Sequence, residues 1–163
     1  MKRLLTGLVL LSAVQGHAQE LPDHILAGMG LMHLRQPPRF GYASVEGNWI
    51  RPGSWLGTWV SVDGNERDDF IGVGPLVQAN LGRRLTFLCG TGPGATSGHA
   101  SDRLGYRFEF RSSASLCWTL DYGRVFMLSL SHYSNGGMSS SNPGVEGVRI
   151  LYGMKLGGKS PSS

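Results

Sequence analysis

Beyond residue 18, the sequence lacks an uninterrupted apolar run long enough to cross a bilayer as a helix, which needs roughly 20 residues. Arginines, glycines or prolines interrupt every apolar stretch in that part of the chain. Charged residues are also scarce, at 16% of the chain against about a quarter in soluble domains. The first shortage argues against a helical membrane protein, and the second is a hint of a surface that faces lipid.

The N-terminus carries the features of a secretory signal peptide. Met1 is followed by Lys2 and Arg3, then by the apolar run 4–14, and the segment ends with small residues at the minus-three and minus-one positions, Gly16 and Ala18. We therefore predict a signal peptide at residues 1–18 and one mature domain at residues 19–163. A buried N-terminal helix is the alternative, which the basic start disfavours. Because a secreted protein would not meet nucleic acid, the net charge of +4 favours attraction to an anionic membrane surface.

What the chain does contain is a series of segments about 10 residues long in which apolar and other side chains alternate, as in membrane β-barrel strands. Turn residues separate them, including a long loop predicted at 94–102. The predicted segments are 24–34, 39–50, 54–63, 71–81, 84–92, 106–118, 124–134 and 145–156. They predict an all-β fold, an eight-stranded antiparallel transmembrane β-barrel. The alternative is a soluble lipocalin-like barrel, whose apolar side chains would point inward.

The last two segments show the alternation most clearly. In 145–156, one face is apolar except for Glu146, and the opposite face is rich in small and basic residues. In 124–134, His132 and Ser134 share the apolar face. Successive side chains of a strand point to opposite faces. The three polar residues therefore interrupt the lipid-facing sides of two consecutive strands at the same end of the barrel.

These three residue types are the components of a serine hydrolase site. Ser134 would attack as the nucleophile, His132 would accept and return its proton, and Glu146 would orient the imidazole. The side chains of Asn135 or Asn142, or backbone amides of the glycine-rich turn, would stabilise the oxyanion. The alternative is that the His-x-Ser pair arose by chance and that Glu146 is a strand-end carboxylate at the water interface.

No other group of residues competes with this one. His33 and His99 have no carboxylate or cysteine at metal-ligand spacing, and Asp68-Asp69 fits a pair of loop carboxylates. The glycines at 90, 92 and 94 precede no helix, which argues against a dinucleotide loop. We therefore expect neither a metal nor a cofactor.

The run His132-Tyr133-Ser134-Asn135, followed by Asn142-Pro143-Gly144-x-Glu146, resembles the PagL family of lipid A 3-O-deacylases. The resemblance implies an outer-membrane barrel that hydrolyses the ester at the 3 position of lipid A, with lipopolysaccharide as its substrate. It implies His132, Ser134 and Glu146 as catalytic triad. It also implies that Asn142 and backbone amides near Gly137 form the oxyanion hole, with support from Asn135.

Alternative functions are a non-enzymatic surface barrel and a barrel hydrolase of other lipids, such as a phospholipase. The assembly state is open between a monomer and a homodimer. Cys89 and Cys117 would lie in an oxidising compartment. Their positions in the alternation place them on opposite sides of the barrel wall, so they cannot reach the Cβ separation of about 4 Å that a disulfide needs. We predict that both remain unpaired.

Overall fold

The structure, a computed structural model, describes residues 23–34, 39–50, 54–65, 68–98, 107–140, 142 and 144–156. These residues form a closed barrel in which each strand pairs antiparallel with the next and β8 closes on β1. The strands are β1 (His24–Met32), β2 (Phe40–Ile50), β3 (Leu56–Gly64), β4 (Asp68–Asn80), β5 (Leu85–Gly98), β6 (Phe108–Thr119), β7 (Arg124–Ser134) and β8 (Val145–Lys155). The predicted signal peptide at 1–18 lies outside the described residues and stays a prediction.

Apolar side chains cover the outside of the barrel wall. Met29 is 74% exposed, Met154 65%, Leu130 56% and Ile150 52%. A soluble barrel would bury such side chains, whereas a lipid-facing wall requires them. The structure therefore confirms the predicted transmembrane barrel and contradicts the lipocalin-like alternative. Within the described residues, no helix has the length and apolar character to cross a membrane.

Charged side chains fill the middle of the barrel interior. The Arg149 guanidinium donates to Glu46 Oε2 at 2.6 Å and to Asp63 Oδ1 at 3.2 Å. The Arg111 guanidinium donates to the same Glu46 oxygen at 2.7 Å and lies 3.8 Å from the centre of the Trp59 ring. We refer to Glu46, Asp63, Arg111 and Arg149 as the interior ion network. All four side chains are buried, so each charge depends on its partners rather than on water.

The two cysteines lie on opposite sides of the wall, as predicted. Cys117 pairs with Thr86 across β5 and β6 and is buried in the interior, whereas Cys89 pairs with Ala114 and is exposed. Both thiols are free. The prediction that they remain unpaired is confirmed.

The predicted loop at 94–102 is wrong in its first part, because β5 continues to Gly98. Glycines at inward positions hide the alternation there, and the reason lies in other strands of the barrel. A Cβ added to Gly94 would approach the Phe70 ring to 2.4 Å, and one added to Gly90 would approach Trp59 to 2.8 Å. The glycines thus make room for aromatic rings from other strands, which the local sequence does not show.

The start of β4 also differs from the prediction. Asp68 and Asp69, predicted to lie in a loop, are the first residues of the strand. Asp69 pairs with Ser97 across β4 and β5, and the Ser97 hydroxyl donates to its carboxylate at 3.0 Å. The Asp69 carboxylate, on the outer face of the barrel at the start of β4, thus has a hydrogen-bond partner.

Three of the four connections at one end of the barrel are longer than any connection at the other end, and the fourth, 65–67, is short. The connections 33–39, 65–67, 99–107 and 135–144 lie at one end, which we call the loop end. The connections 51–55, 81–84 and 120–123 lie at the other end. In outer-membrane barrels, the longer loops face the cell exterior and the short turns face the periplasm.

Candidate active site

Strands β7 and β8 bring His132 and Glu146 together at the loop end. The two residues are direct cross-strand partners, and both side chains point to the outside of the barrel. His132 Nδ1 lies 3.7 Å from Glu146 Oε1, and the side chains are 49% and 29% exposed. This distance is longer than a hydrogen bond, and catalytic contacts of this kind often tighten only when substrate binds. The sequence predicted that His132, Ser134 and Glu146 converge, and the structure brings His132 and Glu146 of these three together.

Ser134 is the last residue of β7 and shares the outward face with His132. Their Cα atoms are two residues apart on one strand, or roughly 7 Å. Ser134 is half-buried and pairs with Phe110 of β6, whose ring packs edge-on against Phe108 at 5.5 Å. The serine therefore lies next to an aromatic residue of β6 and two residues along β7 from the histidine.

The β7–β8 connection is held by its two asparagines. Asn142 Oδ1 accepts a hydrogen bond from the Asn135 backbone N–H at 3.1 Å, which ties the two sides of the connection together. Asn135 Oδ1 accepts from the Gly137 N–H at 2.9 Å. The Asn135 side chain is buried, whereas Asn142 is exposed. The structure thus gathers all three residues predicted to form or support the oxyanion hole next to Ser134.

Gly144 belongs to the site but was not identified from the sequence. Its φ of +63° lies in the region that favours glycine. A Cβ at this position would lie 2.7 Å from His132 Cε1 and 3.3 Å from His132 Nε2. The glycine therefore gives the imidazole the space in which it faces Glu146. Its signals in the sequence were the run Asn142-Pro143-Gly144, which is ordinary turn chemistry, and its place in the motif that resembles the PagL family.

We expect the substitution Gly144→Ala to lower the deacylation rate by at least about tenfold, because the new methyl group would push the His132 ring away from Glu146. Gly123→Ala is the matched control. Gly123 has a φ of +71° at the opposite end of the barrel, and the closest contact of its added Cβ would be 3.4 Å. Kinetic assays of both purified variants in detergent would measure the effect. Equal activities of the two variants would contradict a role for Gly144 in placing His132.

The described residues hold no cluster of three or more His, Cys, Asp or Glu side chains arranged to bind a metal ion. What they do hold is a serine beside a His–Glu pair on an apolar outer wall. The fold and the site together define a membrane-embedded β-barrel with a candidate hydrolytic site that faces lipid.

The comparisons with known proteins give this class a family. The sequence matches the family model described as lipid A 3-O-deacylase (PagL) over residues 29–155. The chain therefore belongs to the PagL family, and it is a lipid A 3-O-deacylase of the outer membrane. Comparison with curated protein sequences finds no match.

Solved structures support the fold. The crystal structure of the outer membrane enzyme PagL is similar at a TM-score of 0.68 and 18% identity, over 82% of this chain and 99% of that chain. Neisserial surface protein A is similar at a TM-score of 0.62 and 7% identity, over 82% and 97% of the two chains. A de novo designed transmembrane β-barrel is similar at 0.56 and 13% identity, over 86% and 100%. At these identities the likeness concerns the barrel alone.

Proposed function

We propose that this deacylase cleaves its ester through a triad of Ser134, His132 and Glu146. The observation that carries the proposal is the orientation of the imidazole, whose Nδ1 faces the Glu146 carboxylate at 3.7 Å. In a serine triad the carboxylate holds Nδ1–H, which leaves Nε2 to accept the proton of the serine. The backbone supports this arrangement, because His132 and Glu146 are direct cross-strand partners and their side chains point to the same face.

The proposed reaction has two steps. Ser134 Oγ attacks the ester carbonyl while His132 Nε2 accepts its proton, and the tetrahedral intermediate then expels the sugar oxygen, which takes that proton. This leaves the fatty acyl group on Ser134. Water, deprotonated by His132, attacks the acyl-enzyme carbonyl, and the bond to Ser134 Oγ breaks as His132 returns the proton to that oxygen, which releases the fatty acid and restores the enzyme. Glu146 stabilises the imidazolium in both steps without itself accepting the proton.

The oxyanion would be held by the asparagines of the β7–β8 connection. Asn142 uses its Oδ1 to accept from the Asn135 N–H, and we assign its Nδ2 group as the first oxyanion donor. The Gly137 N–H already donates to Asn135 Oδ1 at 2.9 Å, so it would contribute as a shared donor. Asn135 would support both donors by holding the conformation of the β7–β8 connection through its hydrogen bonds. Buried at the base of the connection, its side chain suits that role.

The position of the triad fits a substrate that stays in the membrane. All three side chains point outward from the wall at the loop end, where the longer connections mark the cell exterior. The outward side chains next to them on the same strands, Leu130 and Val148, are apolar. An acyl chain of an outer-leaflet lipid could thus reach Ser134 without leaving the bilayer. Assembly as a homodimer stays a prediction, which cross-linking in membranes would test.

Mass spectrometry of lipid A tests the function directly. Lipid A from cells that express the protein should lose the ester-linked acyl chain at the 3 position, relative to cells without it. Purified protein should release little fatty acid from glycerophospholipid vesicles. Unchanged lipid A together with release from phospholipid would point to a phospholipase instead. Unchanged lipid A with no release from either substrate would favour a non-enzymatic barrel.

A further inference from the structure

A row of polar side chains crosses the outer wall at the level of the proposed triad. Thr91 of β5 pairs with Ser112 of β6, Ser112 pairs with His132 of β7, and His132 pairs with Glu146 of β8. Since cross-strand partners point to the same face of a sheet, all four side chains lie outside the barrel. The proposed mechanism uses only His132 and Glu146. It leaves the two hydroxyl groups without a role.

These hydroxyl groups contact each other on a wall whose outward side chains are mostly apolar. Thr91 Oγ1 lies 3.1 Å from Ser112 Oγ, and both residues are exposed. The outward neighbours of Ser112 on its own strand are Phe110 and Ala114. Each hydroxyl has one donor and two acceptor sites, so one bond between them leaves one donor and several acceptor sites for another group. Polar groups that face lipid are costly, which makes an unexplained pair next to an active site a candidate for binding.

Ser112 lies deeper in the wall than Ser134. Ser134 pairs with Phe110, and Ser112 follows two residues farther from the loop end on the same strand. Diagonal neighbours of this kind lie roughly 7–8 Å apart between Cα atoms. A sugar bound above Ser134 would extend toward the loop end and the headgroups. The part of the substrate that passes Ser112 is therefore the acyl chain, close to its carbonyl carbon.

The distance between Ser134 and Ser112 matches the position of an oxygen atom on the acyl chain near its carbonyl carbon. In a reactive complex the carbonyl carbon lies about 3–3.5 Å from the attacking oxygen. A hydrogen bond between hydroxyls adds about 2.8 Å. The oxygen of a hydroxyl group on the β-carbon lies three bonds from the carbonyl carbon, and it would span the remaining distance to Ser112. An unsubstituted chain would instead leave both protein hydroxyls against hydrocarbon.

We propose that Thr91 and Ser112 bind a β-hydroxyl group on the scissile acyl chain and so select hydroxylated chains for cleavage. This inference rests on the proposed function, because it assumes that Ser134 attacks the ester. Ser112, which is the direct partner of His132, makes the main contact. Thr91 holds the Ser112 hydroxyl in place and supplies the second acceptor.

The experiment compares two esters of the same glucosamine alcohol in detergent micelles, one with a β-hydroxyacyl chain and one with the unsubstituted chain of equal length. We expect wild-type kcat/KM to favour the hydroxylated ester by about five- to tenfold, the effect of one hydrogen bond. The double variant Thr91→Val with Ser112→Ala should lose most of that preference, so that the ratio of its kcat/KM values for the two esters falls toward one. Ser112→Ala alone should lose more of it than Thr91→Val alone.

Thr58→Val is the matched control, since Thr58 is an exposed threonine on the outer wall of β3, away from the site. It should keep the full preference. Wild-type enzyme that cleaves both esters equally would overturn the inference and leave the triad intact. Wild-type enzyme that cleaves neither ester but also leaves lipid A unchanged would overturn the proposed function itself. A double variant that only unfolds at lower temperature, with its preference retained, would show a structural role and overturn the inference.

Discussion

Replacing Ser134 with alanine is expected to lower lipid A deacylation by at least about a thousandfold, because the nucleophile of a triad has no substitute. His132→Ala should cost about as much, since the serine would lose the base that accepts its proton. Because these two residues act as a unit, combining the substitutions should cost little more than either one alone. Glu146→Ala should be milder, leaving a histidine that is present but less well oriented. Deacylation by purified variants in detergent would measure all four.

None of these substitutions should unfold the barrel. His132 and Glu146 are partly exposed on the outer wall rather than packed in the interior, and Ser134 is half-buried at the end of its strand. Thermal unfolding of each variant would serve as the control for an intact fold. Near wild-type activity of folded Ser134→Ala would rule out the serine mechanism. If the double variant instead lost as much activation free energy as the two single variants combined, the two residues would not act as a unit.

Replacing Arg149 with methionine is expected to destabilise the barrel by about 3–5 kcal/mol. Methionine retains an unbranched apolar stem but leaves Glu46 and Asp63 with less positive charge in the buried interior. Arg149 is 1% exposed and donates hydrogen bonds to both carboxylates. Without it, these two buried charges would lose a partner, and water could not replace that partner unless the barrel opened. Arg111 remains, yet one guanidinium cannot neutralise two buried carboxylates. Denaturant unfolding in detergent would measure the difference.

Lys155→Met is the matched control, because Lys155 is a cation on the same strand that is exposed at its end. It should change the free energy of unfolding by less than about 0.5 kcal/mol, as surface substitutions commonly do. Similar losses for the two variants would show that the interior ion network contributes no more than a surface charge. Retained stability in Arg149→Met would lead to the same conclusion.

The outward and inward faces of the last two strands could be predicted because their residues alternate without interruption. Leu130, His132 and Ser134 fall on one side of β7, and Glu146 falls on the matching side of β8. A two-residue period and a short connection suffice to bring them to one face and one end. The local alternation therefore indicated the triad candidates, and it agreed with the resemblance to the PagL motif.

Features that depend on distant strands could not be predicted in the same way. The pairing of Arg149 with Glu46 joins residues 103 positions apart, and nothing near either residue indicates the partner. The extension of β5 through Gly94 depends on the ring of Phe70 in another strand. Gly144 is similar, since its importance lies in the His132 ring beside it. Each depends on three-dimensional neighbours that an alternation pattern does not encode.

The outward direction of the proposed triad has a consequence for how the enzyme meets its substrate. A site that opens into the bilayer samples lipid by diffusion in two dimensions, so the relevant concentration is the mole fraction of substrate in the surface around the barrel. Diluting the substrate with inert detergent at constant bulk concentration would then slow the reaction, whereas adding buffer would not. The membrane composition itself thereby sets the rate at which this barrel works.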